Sequence, residues 1–213
     1  MTIVRRGIVV LLTLAGFAGL AGAANAQIAS GRSGMSSADR ISTVNAFSEL
    51  NTFGRCMVIA SRSRAFALLA PAPGSREETE LFRRHVFGEN SCLTPGTDMQ
   101  LSIIYLRGVI AEALFEMHAP VPAELVQTAP ALAEVSDLGG VARCYTAGHR
   151  SQVLALLATP AGSAEELAAV SALWNDLRTC LPQTFNVRLN APWIRFLLAE
   201  AILRLPPPAP VPS

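Results

Sequence analysis

The segment Ser48–Phe115 recurs without a gap as Ser136–Leu203. At this offset of 88 residues (48 to 136), 21 of the 68 aligned pairs are identical, where such a composition gives roughly five by chance. Whatever the first copy builds, the second must also be able to build. The matched pairs include Arg55 with Arg143, Cys56 with Cys144, Arg62 with Arg150, Cys92 with Cys180, Arg107 with Arg195 and Glu112 with Glu200.

The most legible phrase occurs once per copy, as Ala67–Glu78 and Ala155–Glu166. Its apolar start ends a helix, and Pro71, Pro73 and Gly74 stop it. Ser75 then caps the next helix, with Glu78 three residues on completing a capping box, and Ser163 with Glu166 repeats the arrangement. The acids Glu77–Glu78 and Glu165–Glu166 complement the positive end of the helix dipole there, which explains them better than catalysis. Helices are expected over Ser75–Gly88 and Ser163–Thr179. The alternating stretches Thr97–Leu101 and Phe185–Leu189 have the period of strands that can pair with one another. After the caps Ser102 and Asn190, the helices Ile103–Met117 and Ala191–Leu205 are apolar nearly all round and so are expected to be buried.

Outside the copies, Met1–Ala26 has the order of a secretory signal: Arg5 and Arg6, the apolar run Ile8–Leu20, then the small-residue site Ala24–Ala26. The run is too short for a spanning helix, which needs about 20 apolar residues. Export to the periplasm or medium, with no transmembrane anchor after cleavage, is therefore expected. The chain then divides into a leader with an N-terminal helix (27–47, helical from Ser37 to Phe47 after the Gly/Ser-rich Ala29–Ser36), repeat 1 (48–118), a linker (119–135), repeat 2 (136–205) and a Pro-rich tail (206–213). Pro120, Pro122 and Pro130 limit the linker to short helical pieces.

In an oxidising compartment the four cysteines read as two disulfides with three possible connectivities. Closure within each copy, Cys56 to Cys92 and Cys144 to Cys180, is preferred, because a single ancestral copy had to be stable before it was duplicated. Zinc suits a spacing of 36 residues poorly (56 to 92).

Charged residues on the last helices need partners. Arg107 and Glu112, like Arg195 and Glu200, are five positions apart and share no helix face. Two schemes satisfy them: exchange between copies, Arg107 with Glu200 and Arg195 with Glu112, or a pair from Glu112 to Arg55 or Arg62; Arg55, Arg62 and their counterparts Arg143 and Arg150 are accordingly also expected to be structural ion-pair residues. The copies differ most suggestively at Gly108 against Phe196 and at Phe87–Gly88 against Asn175–Asp176.

Without Arg5 and Arg6 the 17 basic residues become 15 against 16 acids, which argues against nucleic acid as a partner. All the basic residues are Arg, so lysine nucleophiles and the phosphate-loop lysine are excluded. His85, His118 and His149 are not repeated, and Phe82, Tyr105, Trp174 and Trp193 fall on helical stretches as packing residues. No metal-binding, haem-attachment, G-x-S-x-G or phosphate-loop motif occurs, and no cofactor is expected.

The chain is thus expected to be a mainly α-helical protein of two disulfide-stapled copies packed around a pseudo-two-fold axis, joined by a short β-ribbon if the strands form. Its leading functional reading is a non-enzymatic interaction protein of the cell envelope, of the inhibitor or assembly-factor type, whose partner is an unknown envelope protein. The alternatives are a binder of a small apolar ligand between the copies and a hydrolase using Glu112 or Glu200.

Overall fold

Proline, glycine and capping residues cut the chain into helices. In the computed structural model the described residues are 37–86, 92, 102–183, 185 and 189–206, with side chains described from 47 onwards. Among them are eight α-helices and three 3-10 turns. The proposed signal, the Gly/Ser-rich stretch, Phe87–Gly88 and all of the Pro-rich tail beyond Pro206 lie outside the described residues.

The first half holds α1 (Ser37–Ala60), α2 (Arg62–Leu69), α3 (Arg76–His85) and α4 (Ile103–Glu116). The second holds α5 (Leu138–Gly148), α6 (Arg150–Leu157), α7 (Ala164–Leu177) and α8 (Ala191–Arg204). The linker carries two 3-10 turns, Ala123–Leu125 and Leu132–Glu134, and a third, Arg178–Cys180, follows α7. Helix α1 continues past Phe47 to Ala60, through Gly54. That glycine admits a neighbour: a Cβ there would lie 2.5 Å from the Val109 carbonyl oxygen of α4. Close backbone contact between α1 and α4 offsets the usual cost of about 1 kcal/mol for a glycine inside a helix.

The repeated phrase forms a helix end, a turn and a capped helix in both places. Gly74 and Gly162 hold φ of 77° and 75°, a left-handed conformation that side chains resist. Ser75 Oγ accepts from the Glu78 N–H and Ser163 Oγ from the Glu166 N–H, each at 3.1 Å. The glutamates reach one residue further back than a capping box requires. Glu78 accepts from the Gly74 N–H at 2.6 Å and Glu166 from the Gly162 N–H at 2.7 Å. Asn190 caps α8 through the Trp193 N–H, whereas Ser102 makes no side-chain cap bond.

No strand occurs among the described residues. Thr97–Leu101 lies outside them, and of Phe185–Leu189 the described Phe185 and Leu189 belong to no strand. Leu189 is buried in the core.

Two apolar clusters result. One joins α1 to α4 around Phe53, Leu68, Phe82 and Ile110; the other joins α5 to α8 around Tyr145, Leu156, Val170 and Ile194. Phe196 and Leu203 of α8 pack into the first cluster, and Phe115 borders both. Helices α4 and α8 make the most extensive helix contact. No described helix is long and apolar enough to cross a membrane.

The disulfides are Cys56–Cys92 and Cys144–Cys180, with Cα atoms 5.6 and 5.9 Å apart. Each ties a helix (α1 or α5) to the segment after the capped helix of the same half. In the chain-entropy model a loop of this length contributes about 3–4 kcal/mol. Such bonds persist in oxidising compartments.

Candidate functional site

Two arginines organise the middle of the molecule. Arg107 and Arg195 stand 88 residues apart at matching positions of α4 and α8, and each is only 2% exposed. Arg107 grips Glu200 of α8 with two bonds of 2.7 Å from Nε and Nη2. Its Nη1 donates to Glu78 at 3.0 Å, and its remaining donors reach the carbonyls of Leu68 and Leu69 at the end of α2. Arg195 donates from Nε to both carboxylate oxygens of Glu112 at 3.1 Å, and its Nη2 also donates to Glu112. It donates to the carbonyls of Leu156, Leu157 and Thr159 at 3.1, 2.9 and 3.0 Å and lies 3.6 Å from Glu166.

Helix ends leave carbonyls without partners and carry negative dipole charge, so a guanidinium suits the end of α2 or α6. Each arginine thereby joins three things: the end of one helix, the capping glutamate of the next, and the last helix of the other half. Burial alone would pull either guanidinium down. The bonds and charges of Glu200 and Glu78 hold Arg107 above its ordinary value, and the bonds and charge of Glu112, with the charge of Glu166, do so for Arg195.

Arg55 bonds to Glu116 at 2.8 Å rather than to Glu112. Contrary to the expectation for them, Arg62, Arg143 and Arg150 make no ion pair among the described residues, because the carboxylates of Glu112 and Glu200 are taken by the arginines of α4 and α8; Arg150 donates to the Pro206 carbonyl at 3.4 Å. His149 stacks on Tyr145 with ring centroids 4.5 Å apart. Trp174 and Trp193 border the second core. No described group of three or more His, Cys, Asp or Glu could hold a metal ion.

Glu166 gives a pH-dependent expectation. Burial raises its pKa, more than the Gly162 N–H and Arg195 lower it. A carboxyl with a raised folded-state pKa stabilises fully below its unfolded value of about 4.3, and that contribution is lost as pH rises through the folded value. Glu166→Gln should remove this component. Urea unfolding at stepped pH should show the wild type losing stability relative to the variant as pH rises from about 4; parallel curves would contradict it.

Beside the Arg107 network opens a cleft of about 240 Å³, lined by the turn Ala70–Pro73, by Arg107, Gln127, Asp137 and Arg143, and by Glu200 and Arg204 of α8. Arg204 is 6% exposed. Its Nη2 pairs with Glu200 at 2.7 Å and donates to the Leu69 carbonyl. Its buried Nε has no hydrogen-bond partner, and neither has the buried Gln127 Oε1. The Gln127 N–H donates to the Arg204 carbonyl at 3.0 Å, fixing the linker against the end of α8. The cleft can engage a charged or polar group, whereas the apolar hollow under Leu138, Val141, Ile194 and Leu198 has only about 10 Å³, hardly one water.

The chain matches no protein-family model, no curated protein and no solved structure.

Proposed function

We infer that the chain is an exported, non-enzymatic interaction protein of the cell envelope, of the inhibitor or assembly-factor type. It is built from two duplicated helical units related by a pseudo-two-fold axis, and a partner is engaged at the Arg143/Arg204 cleft. The duplication rests on the repeated sequence. The axis is supported by the reciprocal pairs, Arg107 with Glu200 and Arg195 with Glu112, and by the meeting of Gly108 with Phe196, its own counterpart. Two disulfides in a chain with a signal-like start support export.

One observation carries the non-enzymatic reading: the carboxylates nominated as general acids are consumed. Glu112 is held by Arg195, and Glu200 by Arg107 and Arg204. A general acid or base must instead keep a titratable proton within reach of a substrate. An apolar ligand between the units has less support, because α4 and α8 already fill that space with Phe196 against Gly108.

A photo-cross-linking residue at exposed Ala72, on the rim of the cleft, tests this in the exporting cells, with Arg84 on α3 as the control position. A discrete adduct from Ala72 and none from Arg84 is expected. Bare chain from both positions would contradict the reading.

A further inference from the structure

The cleft differs from its counterpart in a way that names a ligand. At the 88-residue offset Arg143 corresponds to Arg55, and Arg204 corresponds to Glu116. In the first half the two positions form an ion pair, Arg55 donating to the Glu116 carboxylate at 3.1 Å from Nε and 2.8 Å from Nη2. In the second half both positions are cations. Arg143 has no ion pair among the described residues, and the 6%-exposed Arg204 keeps Nε unpartnered while lining the same cleft.

The surroundings do not cancel this charge. Of the two acids lining the cleft, Glu200 already serves Arg107 and Arg204, and Asp137 accepts from the Gly140 N–H at 2.6 Å to cap α5. Burial pulls Arg204 below an ordinary guanidinium, and the charges of Arg107 and Arg143 add to that pull against the attraction of Glu200. A guanidinium so placed gains from an added anion. Gln127 adds an amide that can present either its oxygen or its NH2 group by a half-turn.

The geometry points to a carboxylate-binding site in which Arg143 and Arg204, with Gln127 alongside, hold the carboxylate of a small organic acid or of a partner's acidic side chain. Glu116 on Arg55 is the internal template: a carboxylate supplied by the chain in one half is supplied by the ligand in the other. The cleft volume of about 240 Å³ accommodates a group of that size. This inference deepens the proposed role of the cleft and rests on the equivalence of the two halves. It does not require that the partner be known.

Titration of the purified, oxidised chain with succinate at constant ionic strength, followed by calorimetry, tests it, with inorganic phosphate as the second probe. One succinate per chain is expected. Arg143→Gln should weaken it at least tenfold, and Arg204→Glu, which places a carboxylate where the first half has one, should abolish it. Arg143 is half-buried without an ion pair, so its variant keeps the result interpretable if Arg204→Glu unfolds. Glu116→Gln, on the corresponding pair, should leave the affinity unchanged. Absence of succinate binding, phosphate binding without succinate binding, or equal affinity in Arg143→Gln and wild type would overturn the site. Because succinate is small and added alone, failure to capture a partner at Ala72 and failure of this titration are separate results.

Discussion

Glu112→Ala should lower stability by about 3–5 kcal/mol, the usual cost of stranding one member of a buried ion pair. For a chain of this size that is a fall in melting temperature on the order of 10 °C. The magnitude follows from how little remains for Arg195. Glu112 supplies the close carboxylate contacts, Glu166 stands 3.6 Å away, and the guanidinium is too buried for water to replace the loss. The corresponding change Glu200→Ala should cost a comparable amount: Arg107 keeps Glu78 at 3.0 Å, but the buried Arg204 loses its only ion pair among the described residues. Replacing both partners, Glu112→Leu with Arg195→Met, should recover part of the loss, since an apolar pair of similar volume carries no desolvation cost. Recovery should be incomplete, because the Leu156 and Leu157 carbonyls lose their donor. A wild-type melting temperature for Glu112→Ala would show that the central network does not hold the halves together.

Gly108→Phe should be at least as damaging, at roughly 3 kcal/mol or more, because a side chain would be forced into a contact made at backbone distance. A Cβ on Gly108 would lie 2.1 Å from Phe196 Cβ and 2.4 Å from its ring. Neither side can yield cheaply: both residues are in helix interiors, and Phe196 is 1% exposed. The helices α4 and α8 would have to separate, loosening both apolar clusters and lengthening both reciprocal ion pairs. Denaturant unfolding of the purified variant gives the number directly, and a loss below 1 kcal/mol would show that the interface is softer than its packing implies.

Much of the helical layout was legible, because local chemistry wrote it: Ser75 and Ser163 as caps, the glycines after the prolines, Asn190 before Pro192. The course of α1 beyond Phe47 was not, since Gly54 weakens any reading by propensity and only the approach of Val109 explains it. The strand-like alternation of Thr97–Leu101 and Phe185–Leu189 falls mostly outside the described residues. At the centre, charges on apolar helices announced that Arg107, Glu112, Arg195 and Glu200 needed partners, but spacing left two schemes open. The parts played by Glu78 and Glu166 were hidden by their capping role. One carboxylate oxygen of each accepts a glycine N–H, which accounted for the residue before its other oxygen, facing an arginine, was considered. Arg204 escaped notice because the aligned segments stop at Phe115 and Leu203. The informative mismatch, Glu116 against Arg204, is the very next pair.

The most direct test of two equivalent halves facing one another is the exchange of the differing pair at their contact, Gly108 and Phe196. Gly108→Phe, Phe196→Gly and the double variant form a thermodynamic cycle measured by urea unfolding. Phe196→Gly alone should cost about 4 kcal/mol or more, from the cavity and the helix glycine together. If α4 and α8 meet as counterparts, the double variant places the ring in the same space from the opposite helix, and at least about 2 kcal/mol of the summed loss should be recovered. Additive losses would contradict the pseudo-symmetric account.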